Sequence, residues 1–123
     1  MIEPLRPSPT DRILFVNIKN SFNCTDRHSE YYRPSRYEAT RKYWKVSKNR
    51  ISKVNLVIGH VDGIVKEVIS PTVWIPATNS RYHGRFECMG KEQDDSPYLE
   101  KDIRHLVNLG QNPVSYYQCD RNQ

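Results

Sequence analysis

The chain has 123 residues, of which 37% are hydrophobic and 27% are charged, and its formal net charge is +5. This length fits one domain with one modest core, and no apolar run approaches the ~18–20 residues that a membrane-spanning helix needs. The start of the chain also lacks the apolar stretch of a secretory signal, so we expect a cytoplasmic protein without a membrane partner.

The first ten residues contain three prolines, and we interpret them as a flexible leader before a single PUA-like domain at residues 11–120. An ordered arm is the alternative for this leader. Residues 12–19 form a short apolar run rich in β-branched side chains, which predicts a buried strand.

A helix is predicted at residues 35–46, after a polar loop. Ser35 and Glu38 have the spacing of a capping box, in which the serine oxygen accepts a hydrogen bond from the backbone N–H of the glutamate. The predicted helix places Trp44 near its C-terminal end.

A β-hairpin is predicted in the middle of the chain, with strands at residues 54–60 and 64–69. Between them, Asp62 and Gly63 favour a type I′ turn because both residue types tolerate positive φ. Pro71 is expected to end the return strand or to mark an edge, because proline cannot donate a hydrogen bond to a neighbouring strand.

Three further elements complete the pattern, namely a strand at residues 81–89, a helix at residues 96–110 and a strand at residues 113–118. The order β-α-β-β-β-α-β predicts an α+β fold, with a small curled five-stranded, mostly antiparallel sheet or barrel and two helices. A doubly wound parallel sheet is not expected, because only the first unit has the order of a βαβ crossover.

Residues 37–46 read Tyr-Glu-Ala-Thr-Arg-Lys-Tyr-Trp-Lys-Val. This run resembles the signature Y-E-A-T-R-G-x-W of a bacterial and phage family, whose domains stand alone or beside GIY-YIG-type nuclease domains. The resemblance covers residues 37–117, and Lys42 departs from the glycine that is usual in the family. The element order is also similar to that of the PUA-like superfamily, whose EVE and YTH branches bind nucleic acids and read modified bases in aromatic pockets.

Positive charge is concentrated in one part of the chain. Nine of the 19 lysines and arginines lie at residues 27–53, against two of the 14 acidic residues. A basic segment in an otherwise near-neutral chain is typical of proteins that bind a phosphate backbone. We therefore predict a nucleic-acid-binding module, with DNA or RNA as partner, and a solvated charged face is the alternative.

A pocket that recognises a base, modified or not, needs flat aromatic walls and polar groups at the edge of the base. Trp44 and Trp74 are the predicted walls, with Tyr43 as a further candidate, although burial in the core is the alternative for both tryptophans. The predicted polar and basic contacts are Asn49, Arg50, Arg41, Lys45 and Lys48. For Arg41, the alternative is a buried ion pair with Glu38, three residues earlier on the same face of the predicted helix. We expect the two tryptophans to converge with Asn49 and Arg50 on one cavity.

Two other functions are compatible with the sequence. A metal-independent ribonuclease would use His83 between Arg81 and Arg85, with His28 or His60 as its partner. A protein-interaction module or phage and host regulatory factor would use the acidic residues 87–102 as its contact face.

Cofactor and metal sites are not predicted. The three cysteines, Cys24, Cys88 and Cys119, are widely spaced and contain no C-x-x-C pair, so they indicate neither a zinc site nor a disulfide framework. Five glycines without a phosphate-binding motif give no glycine-rich cofactor loop.

Overall fold

A computed structural model describes residues 2–107 and 112–119. Its strands are β1 Ile13–Asn17, β2 Leu56–Val61, β3 Ile64–Pro76, β4 Phe86–Glu92 and β5 Val114–Tyr117, and its helices are α1 Lys19–Phe22, α2 Arg36–Arg41 and α3 Lys48–Ile51. A single 3₁₀ turn lies at Ser80–Tyr82. In these two ranges, no helix has the length and apolar character that crossing a membrane requires.

The five strands form one sheet in the order β4-β3-β2-β1-β5. Strands β1 and β2 are parallel, and the other three pairs are antiparallel. The predicted small α+β fold with a mostly antiparallel five-stranded sheet is confirmed. Over the described residues the sheet is open, with β4 and β5 as its edges, and it carries three short α-helices where two were predicted.

Hydrophobic side chains cover both faces of this sheet. Because side chains alternate along a strand, Leu14 and Val16 of β1 lie in a first core with Ala39 of α2, whereas Ile13 and Phe15 lie in a second core. The remaining members of the second core are Leu5, Ile58, Val65, Val68 and Ile103. The segment predicted to be a flexible leader thus contributes a buried side chain, and the Leu5 N–H donates to the Asp102 carbonyl at 2.8 Å.

The hairpin between β2 and β3 has the predicted turn. Asp62 and Gly63 have φ angles of 52° and 83°. Pro71 does not end the return strand, which continues to Pro76. It marks an edge, the other predicted role, because pairing with β2 stops at Ile69 and the following residues of β3 pair with β4. The pairing of β3 with β4 shifts register between Pro71 and Val73, and such an irregularity accommodates a residue that has no N–H to donate.

The first predicted helix is present but shorter than predicted. Ser35 Oγ accepts a hydrogen bond from the Glu38 N–H at 3.1 Å, as the capping box requires. The helix ends at Arg41, because Lys42 is extended with φ −157° and ψ 158°. Trp44 instead pairs with Phe86 of β4 through two backbone hydrogen bonds of 2.9 Å. Tertiary pairing with a strand edge therefore overrides the helical pattern beyond Arg41.

The second predicted helix, at residues 96–110, does not form in its described part, and residues 108–110 lie outside the described range. The segment consists of turns, and Glu100 has a φ of 64°, which a right-handed helix excludes. Its backbone groups bind other segments, since the Lys101 carbonyl accepts from the Val65 N–H and the Asp102 N–H donates to the Glu3 carbonyl. Ile103 is nevertheless buried, as its apolar side chain favours.

The strand predicted at residues 81–89 begins later, at Phe86. In its place the chain makes the 3₁₀ turn Ser80–Tyr82, which Asn79 caps by accepting a hydrogen bond from the Arg81 N–H at 3.0 Å. An asparagine is well suited to this role because its side chain bonds the backbone two residues on. The turn, rather than a strand, positions Tyr82.

Close packing of α2 on the sheet depends on Gly59 of β2. A Cβ atom at this position would lie 2.3 Å from Thr40 Oγ1, and Thr40 is fully buried. We expect Gly59→Ala to lower the free energy of unfolding by about 1–3 kcal/mol, because the helix must move to relieve the overlap. Urea denaturation measures the loss.

The control for this prediction is the double variant Gly59→Ala/Thr40→Ala. Thr40 Oγ1 has no hydrogen-bond partner, so removing it should restore most of the stability that Gly59→Ala loses. A double variant no more stable than Gly59→Ala would contradict the proposed overlap.

Candidate nucleic-acid interface

The two tryptophans predicted as walls of one pocket border two different cavities. Trp44 lines a cavity of about 200 Å³, the Trp44 cavity, whereas Trp74 lines one of about 440 Å³, the Trp74 cavity. Both rings also pack against the first core. The predicted convergence of the two tryptophans is therefore wrong, because the chain leaves the helix before Trp44 and carries it to the edge of β4.

Trp44 is held in place by both its backbone and its ring. Its backbone pairs with Phe86, and its indole Nε1 donates to the Thr40 carbonyl at 2.7 Å, one helical turn earlier. The ring is half-buried, with one part in the first core and another bordering the Trp44 cavity. Trp44 is thus both a core residue and a wall of the Trp44 cavity.

Trp74 has a different environment. Its cavity is bordered mainly by apolar side chains, including Ile51, Val54 and Val73, and by Lys48 of α3. The indole Nε1 is buried without a hydrogen-bond partner. The described lining of this cavity contains no arginine, and the ring packs against the first core, so its surroundings are those of a core tryptophan with one open side.

Helix α3 carries three of the predicted contacts. Lys48 borders the Trp74 cavity. Asn49 is exposed, and its carbonyl accepts from Ser52 Oγ at 2.8 Å. The Arg50 guanidinium lies 4.8 Å from the centre of the Tyr116 ring. Lys45, just before this helix, is exposed. Of these four residues, Lys48 alone borders the Trp74 cavity, and none of them borders the Trp44 cavity.

Arg41 forms ion pairs with two carboxylates. Its Nε lies 3.0 Å from Glu38 Oε1, and its Nη1 lies 2.9 Å from Glu87 Oε2. Burial opposes the charged form of all three groups. The ion pairs and hydrogen bonds outweigh burial. The two carboxylates raise the pKa of Arg41. The pKa of Glu38 is lowered by Lys42 and Arg41, and that of Glu87 is lowered by Thr78 and Arg41. Arg41 therefore stabilises the fold, and the predicted phosphate contact would require breaking this network.

A stacked pair of tyrosines forms the centre of the site that the structure indicates. The rings of Tyr43 and Tyr82 have centroids 4.4 Å apart and an interplanar angle of 14°. Both residues are half-buried, and the Tyr82 hydroxyl donates to the Glu30 carbonyl at 3.1 Å. Tyr43 belonged to the predicted site, whereas Tyr82 did not.

Three cations surround this pair. The Arg33 guanidinium lies 5.1 Å from the Tyr43 centroid and 5.8 Å from that of Tyr82. The Lys42 ammonium lies 5.3 Å from the Tyr43 ring, and the Arg85 guanidinium lies 5.5 Å from the Tyr82 ring. Cations at such distances are attracted to an aromatic face, so the tyrosine rings stabilise this cluster of positive charge.

The tyrosine pair borders two cavities. One is the Trp44 cavity, and the other is a cavity of about 270 Å³, the loop cavity, which Arg27 and Arg81 also border. Arg33 and Lys42 contribute to both cavities. Arg33 is fixed by hydrogen bonds from its Nη1 to the carbonyls of Glu30 and Tyr32, at 2.8 and 2.7 Å.

Sequence reasoning missed Arg33 and Tyr82 as site residues, although each had a signal. Arg33 belongs to the basic segment, and the stretch Arg81-Tyr82-His83-Gly84-Arg85 interleaves cations with an aromatic residue. Such interleaving is typical of single-strand binding surfaces. The prediction of a strand at residues 81–89 obscured this pattern.

The histidines of the ribonuclease hypothesis differ in their exposure. His60 is buried in β2, and burial lowers its pKa to about 4, although Asp62 opposes the shift. An imidazole with this pKa is neutral and is withdrawn from solvent, which does not suit an acid that protonates a leaving group near neutral pH. His28 and His83 are exposed.

No family model matches the chain, and no curated protein or solved structure matches it significantly.

Proposed function

We propose that the protein binds single-stranded nucleic acid through the stacked tyrosines and the cations around them. The observation that carries this proposal is the Tyr43–Tyr82 pair, which borders two cavities with arginines and lysines in their linings. Single-strand binders combine aromatic rings, on which bases stack, with positive charge along the backbone path. Nucleic-acid binding is also what the sequence resemblances imply, both to the PUA-like superfamily and to the phage family with its nuclease neighbours.

Charge balance supports an anionic ligand. Among the described residues that border the Trp44 and loop cavities, Glu30 is the single acid, and it faces five cations: Arg27, Arg33, Lys42, Arg81 and Arg85. Lys42 is partly compensated by Glu38, at 2.8 Å. Arg27, Arg81 and Arg85 are exposed, so they are accessible to phosphates, which arginine recognises through paired N–H donors.

The Trp44 cavity is the proposed position for one base, modified or not. It offers the rings of Trp44 and Tyr43 as walls and the side chains of Asn17 and Asn20 as polar groups. Asparagine can pair with the edge of a base through its amide, and splayed-out bases of single strands are read in this way.

The first test measures the binding of short single-stranded DNA and RNA oligonucleotides by fluorescence anisotropy at several salt concentrations. Five phosphate contacts predict that log K falls with log salt at a slope of about −3.5 on single strands. Absence of binding at low salt would remove the proposal, and a slope near zero would mean that phosphates are not contacted.

The second test uses variants at the stack. Tyr82→Ala should weaken binding about 5- to 150-fold, because stacking on an aromatic ring contributes roughly 1–3 kcal/mol per base. Arg81→Ala should reduce the slope by about 0.7, since one phosphate contact is lost.

Two controls accompany these variants. Arg6→Ala removes the same charge next to Leu5, on the side of the second core, and should leave the slope unchanged. Trp74→Phe keeps an aromatic ring at the other cavity and should leave affinity unchanged. If Tyr82→Ala binds as tightly as the parent protein while Trp74→Phe binds weakly, nucleic acid is bound at the Trp74 cavity instead.

A further inference from the structure

Three carboxylates outside the proposed interface meet at the end of the β3–β4 pair. Glu67 belongs to β3 and Glu92 to the end of β4, and Asp94 lies in the turn that follows. One oxygen from each lies within 4.8 Å of the others. The strand pairing produces this arrangement, because Glu92 is opposite Ile69 and the Gln93 N–H donates to the Val68 carbonyl at 2.8 Å.

Glu67 gives this cluster a property that exposed acids lack. It is only 4% exposed, and its Oε2 is buried without a hydrogen-bond partner. A buried carboxylate oxygen normally has a partner, because desolvation without one is costly. Arg36 of α2 lies near enough to interact, but its Nη1 donates to the Lys66 carbonyl at 3.4 Å. Among the described side chains, Glu92 is near enough to share a proton with Glu67, and a cation held between the carboxylates is the other candidate partner of Oε2.

We propose that Glu67, Glu92 and Asp94 bind a hard divalent cation, with Ca²⁺ as the best fit. Oxygen ligands at 2.3–2.6 Å from one Ca²⁺ lie at most about 5 Å apart, so the spacing of the three carboxylates satisfies this limit. Glu92 and Asp94 are exposed, which leaves one side for the water ligands that complete six to eight positions. The donor set contains neither nitrogen nor sulfur, which disfavours Zn²⁺.

A proton is the competing ligand at the same place. Burial first, and then the charge of Glu92 and a hydrogen bond with it, raise the pKa of Glu67 to about 7, whereas the Val68 backbone N–H and then Arg36 act in the opposite direction. Asp94, from the turn, adds a second negative charge on the same side.

The experiment is a calorimetric titration of the intact protein with calcium chloride at pH 8. We expect saturable one-to-one binding. Glu67→Gln and Asp94→Asn should each weaken binding about ten-fold or more, as expected for loss of a direct ligand. Asp94 is exposed, so its variant is expected to fold even if Glu67→Gln does not.

The matched control is Asp95→Asn, which removes the same charge from the adjacent exposed residue outside the cluster. It should leave affinity unchanged. An equal loss in this control would show diffuse attraction to acidic residues and would overturn the site. Absence of saturable binding up to about 10 mM Ca²⁺, ten-fold above the weakest protein sites, would leave a shared proton between Glu67 and Glu92 as the occupant and would also overturn it.

Discussion

Replacing Arg41 by methionine is expected to lower the free energy of unfolding by about 3–5 kcal/mol, the usual cost of leaving a buried charge without its partner. The side chain of Arg41 is 15% exposed and that of Glu87 is 4% exposed, so water cannot replace the lost ion pair. Methionine preserves the length and apolar packing of the stem. Urea denaturation monitored by circular dichroism measures the change.

Two controls define this prediction. Arg85→Met removes an exposed arginine from the neighbouring surface and should change stability by less than about 0.5 kcal/mol. The double variant Arg41→Met/Glu87→Gln removes the orphaned charge and should recover part of the loss. If Arg41→Met is as stable as Arg85→Met, the network is not structural, and the phosphate contact predicted from the sequence would regain support.

The second large effect concerns Leu5, which the sequence placed in a flexible leader. Leu5→Ala should destabilise the fold by about 2–5 kcal/mol, the range for truncating a fully buried leucine, because Leu5 is 1% exposed in the second core. Ile2, three residues earlier, is 51% exposed, and Ile2→Ala should have an effect below about 0.5 kcal/mol.

Thermal and urea denaturation of both variants would test this difference. Equal and small effects would show that the N-terminal segment does not belong to the folded unit. A large effect in Leu5→Ala alone would make this segment part of the second core, which Phe15 and Ile103 share.

The strands were predictable because their signal is local. The apolar run of β1 and the Asp62-Gly63 turn specify structure through neighbouring residues, and both are observed. The helix at residues 96–110 failed because its carbonyls and N–H groups bind Val65 and Glu3, which lie far away in sequence. The hydrophobic pattern of a segment does not show whether distant segments will bind its backbone groups.

The same limit applies to the candidate site. Tyr43 and the basic segment were visible in the sequence, but Tyr82 is 39 residues further on, and only folding stacks it on Tyr43. The pairing of Trp44 with Phe86 likewise decides that the two tryptophans border different cavities. The residue types in the sequence indicated aromatic and basic contacts. Long-range contacts in the fold determine which of these residues lie in the same site.

The place of β1 in the sheet has a consequence for biosynthesis. One edge of β1 pairs with β2 and the other with β5, and residues 18–113 separate β1 from β5. While the chain is being made, the apolar run Ile13-Leu14-Phe15-Val16 therefore keeps one hydrogen-bonding edge open until β5 has left the ribosome. An open apolar edge invites pairing with another nascent chain. The chain is thus expected to depend on chaperones during translation.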